Sequence, residues 1–155
     1  MITEDYVSFE TAKLLKEKGF KHWCGHCYGV DVRHKGESIS FDEECDLKDE
    51  GFGNEIEYID GGRLYDCGCN NSDKDAKVWA APTLWAVMKW LREVHNLHIM
   101  VDCIGAENYI PTIQFTRNSK DIEIKSKISK IGGNGFDSNE QAIDAAINYC
   151  LENLI

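Results

Sequence analysis

The chain has 155 residues, 43% hydrophobic and 28% charged, the proportions of one globular domain with its own core. Its formal net charge of −10 excludes a generic binder of duplex DNA or of anionic membrane surfaces, because such partners need a field of Lys and Arg. No stretch reaches the roughly 20 apolar residues of a membrane span. The opening MITEDYVSFE carries three acids and no basic n-region, so no secretory signal is expected and a reducing cytoplasm is. The seven cysteines are therefore expected as free thiols or metal ligands rather than disulfides.

In chain order, the first element is a helix over Ser8 to Lys18. Ser8 can cap it, Val7, Thr11, Leu14 and Leu15 form an apolar stripe, and Gly19 ends it. From His22 to Lys77 the periodicity is poor. Short alternating runs (Tyr28 to His34, Ser38 to Phe41, Glu55 to Ile59, Arg63 to Tyr65) predict strands, and Asp60-Gly61-Gly62 predicts a hairpin turn. The acidic FDEECDLKDEGFGNE predicts a solvated loop.

Order returns at Pro82, a first-turn proline. Leu84, Val87, Met88, Leu91 and Val94 recur at helical spacing, Trp85 and Trp90 broaden the apolar face, and Asn96 stops the helix. LHIMVDC, IPTIQFTR and DIEIKSKIS then predict three antiparallel strands, with Cys103 on the buried phase of the first and a turn at residues 118–120. The last helix has capping-box spacing at Ser138 and Gln141 and a stripe through Ile143, Ala146, Ile147, Cys150, Leu151 and Leu154. This order predicts an α+β fold of three helices on one face of an antiparallel sheet. The expected organisation is a single domain over 1–155, with an irregular β-hairpin-rich insertion at 22–77 and a helix-strand-strand-strand-helix core at 78–155.

HWCGHC at 22–27 is the motif that invites a chemical reading. WCGHC resembles the active site of disulfide isomerases, which belong to the thioredoxin fold, and Pro82-Thr83 resembles the proline pair that faces their dithiol. Redox chemistry of that type needs its first cysteine at a helix N-terminus, where the dipole lowers the thiol pKa. Here YGVDVRHKGESIS predicts strand and turn after Cys27, and a helix follows Pro82 where thioredoxins have a strand. A thiol-disulfide oxidoreductase is therefore an alternative, not the leading expectation.

Zinc is the second reading. Cys24 and Cys27 have knuckle spacing, and tetrahedral zinc wants four soft ligands. Cys67 and Cys69 are the candidate second pair, with Cys45, His26, His22 and His34 as alternatives. The half-sites lie roughly 40 residues apart, longer than common finger spacings. A metal can organise a segment that lacks apolar periodicity, as 22–77 does. The competing reading puts Cys24 and Cys27 on opposite sides of an extended segment as free thiols.

Other signals read as structure. His95 and His98 flank a helix C-terminus, where the dipole favours histidine. Asp102 shares a strand face with His98, but no nucleophile accompanies the pair. IGGNG at 131–135 lacks the lysine of a phosphate loop and the spacing of a dinucleotide fingerprint.

YVSFETAKLLKEKGF, APTLWAVMKWLREVHN and AAINYCLENLI together resemble short uncharacterised proteins of gut Bacteroidales bacteria and of their phages and mobile elements. The resemblance implies a small cytoplasmic accessory protein without a transferable activity, and HWCGHC falls outside its blocks. The leading expectation is a non-enzymatic module that binds a host or phage protein, with no membrane or nucleic-acid partner and a homodimer through the Trp85 and Trp90 helix as an alternative. A structural zinc on Cys24, Cys27, Cys67 and Cys69 is the second expectation.

Overall fold

The structure, a computed structural model, describes residues 5–105, 108–115 and 135–155. Its elements are α1 (Phe9–Glu17), β1 (Cys27–His34), β2 (Glu37–Ser38), α2 (Phe41–Asp49), β3 (Ile56–Tyr65), β4 (Trp79–Ala80), α3 (Leu84–Val94), β5 (Leu97–Cys103), β6 (Tyr109–Phe115) and α4 (Asn139–Asn153). The fold is mixed α+β with antiparallel sheets. The described residues divide into two compact units, one of 5–20 with 82–155 and the other of 21–81.

The first unit holds most of the apolar core, and its caps are where the local sequence puts them. Ser8, Thr83 and Ser138 each accept a hydrogen bond from the N–H three residues on, satisfying an otherwise orphaned donor at the N-termini of α1, α3 and α4. Asn96 adopts a left-handed conformation (φ 59°) just beyond α3 and turns the chain into β5. Helix α3 packs on β5, and α4 packs on both strands and on α1 and α3. Leu15, Leu91, Leu97, Ile113, Ile147 and Leu151 are fully buried, each contributing about 1.5–3 kcal/mol relative to exposure. Trp90 joins this core edge-on to Phe20, with ring centroids 5.4 Å apart.

Strands β5 and β6 pair from Leu97↔Phe115 to Cys103↔Tyr109. Both the N–H and the C=O of Tyr109 bond to Phe136, so they point away from β5. The alternation of an antiparallel ladder then makes Val101↔Pro111 a non-hydrogen-bonded pair. Pro111 therefore sits in mid-strand without costing the β5–β6 ladder a bond.

The second unit is built around β1. One edge of β1 pairs with β3, and β2 and β4 also pair antiparallel with β1, at Arg33–His34 and Cys27–Tyr28 respectively. Its buried apolar residues are few: Cys24, Cys27, Ile56, Ala80 and Ala81. Trp23, Phe41, Phe52, Tyr58, Ile59 and Leu64 are exposed.

The structure differs from the sequence expectations at several points. The acidic stretch is not a loop: α2 forms because Ser40 and Glu43 make a complete capping box, and the Glu44 carboxylate accepts from both Lys48 Nζ and Tyr58 Oη at 2.6 Å. Asp60-Gly61-Gly62 is not a hairpin turn. It lies inside β3 opposite the Gly29/Val30 step, where the register shifts and Gly61 takes φ 67°, so the glycines make a bulge in one long strand. The described helices number four rather than three. Trp85 is 71% exposed rather than part of the buried face, and Cys103 is exposed, its thiol donating to the Gly105 carbonyl. The expected third strand DIEIKSKIS, the turn at 118–120 and residues 131–134 of IGGNG lie outside the described residues.

Candidate metal centre

Cys27 opens β1 and is held on both sides, by Tyr65 of β3 and Ala80 of β4. The chain before it, 24–26, continues alongside the chain that leaves β3. There Cys24 and Cys69 form an antiparallel bridge: the Cys24 N–H donates to the Cys69 carbonyl at 2.8 Å and the Cys69 N–H to the Cys24 carbonyl at 2.9 Å. Directly opposed residues put their side chains on the same face, with Cβ atoms about 5 Å apart. Between the Cys27↔Tyr65 and Cys24↔Cys69 pairs, two residues on one arm (25 and 26) oppose three on the other (66 to 68), and Cys67 is the middle one of the three. Its Sγ is 2.7 Å from that of Cys27. All four cysteines are free thiols, and the Cys27 thiol interacts with those of both Cys67 and Cys69.

The arms are fastened by their neighbours. His26 Nε2 lies 3.7 Å from the Asp66 carboxylate, joining the residues beside Cys27 and Cys67. The Ala81 N–H donates to the His26 carbonyl. Asn71, buried two residues after Cys69, accepts the Ala80 N–H at 2.9 Å and ties the second arm to β4. Gly68 passes beneath the Trp23 indole so closely that a Cβ there would collide with the ring. Asp66 and Asn71 were not legible as site residues: neither belongs to a periodic pattern, and only adjacency to the cysteines could have marked them.

Burial pushes the Cys24 thiol up to about 11, with the proximity of Cys69 adding to it. Cys27 is raised further, by burial first and then by the thiols of Cys67 and Cys69. A redox CxxC requires the opposite shift, and neither cysteine begins a helix. Packed thiols whose ionisation is mutually unfavourable do suit a bound cation, which stabilises thiolates together. Zinc with bonds of about 2.3 Å has a sulfur–sulfur edge of about 3.8 Å. For zinc to be held there, the 2.7 Å contact would have to open by about 1 Å. The buried Cys24 thiol donates to the His22 carbonyl at 3.6 Å. Among the described residues no three or more His, Cys, Asp or Glu side chains stand together as a metal cage.

Other titratable groups lie on other elements or at the far end of β1. His34, at the far end of β1, lies 3.2 Å from the Glu55 carboxylate. Cys45 is on α2, and Cys150 is buried in α4 with its thiol pushed up to about 12 by burial. His95, half-buried edge-on to Trp90 at 4.6 Å, is lowered by burial. Asp144 is raised by burial, partly offset by a hydrogen bond from Thr11 in the packing of α1 on α4. No family model, curated protein or solved structure matches the chain.

Proposed function

We propose that the chain is a non-enzymatic binding protein whose unit 21–81 is held together by a structural zinc on Cys24, Cys27, Cys67 and Cys69. The observation that carries this reading is the meeting of the two half-sites: a Cys24↔Cys69 bridge beside a Cys27–Cys67 contact, in a unit with five buried apolar residues. Such a unit is short of hydrophobic stabilisation for its size, and metal binding free energy can act as folding free energy in its place. CxxC with CxC supplies four soft ligands, two from each arm, and leaves no open position of the type that zinc catalysis uses.

The raised thiols support a structural role over thiol-disulfide exchange. The resemblance to Bacteroidales and phage proteins supports an accessory role exerted through a host or phage protein. Elemental analysis of protein purified without added metal tests the site. About one zinc per chain, lost together with the melting transition of unit 21–81 on chelation, is the expected result. Metal-free protein with full thermal stability would sink the proposal.

A further inference from the structure

The outer edge of β5 combines three features that belong to a peptide-binding strand. First, the ladder phase set by Tyr109 leaves the N–H and C=O of Ile99 and Val101 pointing away from β6. Among the described residues these groups have no backbone partner. Second, a cavity of about 570 Å³ reaches this edge, walled by Trp85, Met88 and Arg92 of α3, by the 98–101 stretch of β5 and by Asn139 and Ile143 of α4. Because consecutive side chains of a strand point to opposite faces, a groove touching four in a row follows the strand's edge. Third, the lining carries the cations Arg92 and Lys89, the latter also 3.9 Å from the Glu93 carboxylate, and no carboxylate of its own, on a chain of net charge −10.

Proteins commonly blunt an open edge with Pro, Lys or a bulge. LHIMVDC has none of these. Trp85, 71% exposed on the helix beside the edge, is the large rigid aromatic that anchors such contacts.

We propose that this groove binds an extended acidic–apolar segment of another protein, added antiparallel or parallel as a strand on β5. Main-chain bonds to Ile99 and Val101 hold the segment. Its apolar side chains settle against Trp85, Met88 and Met100, and its carboxylates face Lys89 and Arg92. The charge pair decides between occupants. A second copy of this chain adding its own β5 would bring Lys89 and Arg92 toward the same residues of its twin, whereas an acidic segment meets opposite charge.

The test uses the full chain and two eight-residue peptides, one alternating valine with glutamate and one alternating valine with lysine, followed by amide NMR. The glutamate peptide is expected to bind about tenfold more tightly than the lysine peptide and to shift the amides of Ile99 and Val101. K89E/R92E should reverse that preference. V101P is the second arm: Val101 occupies the same non-hydrogen-bonded pair as Pro111, so proline removes an outward donor while sparing the ladder, and binding should be lost with the fold intact. Equal affinity for the two peptides, shifts confined to other residues, or a concentration-dependent dimer dissociated by V101P would each overturn the proposal.

Discussion

Cys67→Ser separates the metal reading from the free-thiol reading by magnitude alone. Cys67 is exposed, and its thiol lies against that of Cys27. As a surface thiol its replacement by the near-isosteric serine should change stability by no more than about 0.5 kcal/mol. As one of four zinc ligands it carries part of a binding free energy of about 10–16 kcal/mol, so its loss should cost about 3 kcal/mol or more. Cys103→Ser is the control, since Cys103 is also exposed and its thiol donates to the Gly105 carbonyl; it should be neutral under both readings. The assay is chemical unfolding with and without chelator, paired with amide hydrogen exchange so that 21–81 and 82–155 are followed separately. The metal reading expects lost protection in 21–81 for Cys67→Ser, matched by chelation of the wild type. A Cys67→Ser protein indistinguishable from Cys103→Ser in both measurements would refute the reasoning.

Other outcomes follow from the packing. Leu91→Ala, which empties a fully buried position of α3, should cost about 2–5 kcal/mol by urea unfolding. Ser40→Ala removes the capping box that starts α2 and should cost about 1 kcal/mol, read as faster exchange of the α2 amides. His95 has a pKa lowered by burial, so above about pH 6.5 it is neutral in both states and contributes nothing. As pH falls below that, the unfolded chain takes up a proton the native state resists, and stability declines. The urea midpoint of His95→Gln should therefore fall less than that of the wild type between pH 7.5 and pH 5.5, windows chosen around about 6.5; parallel slopes would contradict the assignment.

Local chemistry was enough for the elements whose information is local. A helix of α1 or α4 type needs a side-chain acceptor at its start and apolar residues every three or four positions, and Ser8 and Ser138 with their stripes supply both within a dozen residues. The alternation of LHIMVDC likewise marked β5 from end to end, because Leu97 and Ile99 on one face are buried, although Val101 and Cys103 further along it are not.

The stretches that misled are those where distant residues outvote local ones. FDEECDLKDE has the composition of a loop, yet its capping box and the anchor from Glu44 to Tyr58 of β3 make it α2. Asp60-Gly61-Gly62 has the composition of a turn. The continuous pairing of β1 with both halves of β3 turns it into a bulge instead. Trp85 and Trp90 share one amphipathic helix, and only packing decided that Trp90 meets Phe20 while Trp85 stays exposed.

Sequence by itself determined the mixed α+β character, the capped helices and the identity of four candidate ligands. What it could not determine was whether Cys24 and Cys27 come near Cys67 and Cys69, because nothing local couples residues on two arms of the chain. The pairing of β1 with β3 does so. By aligning Cys27 with Tyr65 and Cys24 with Cys69 it leaves one residue over, and that slack brings the Cys67 thiol onto Cys27.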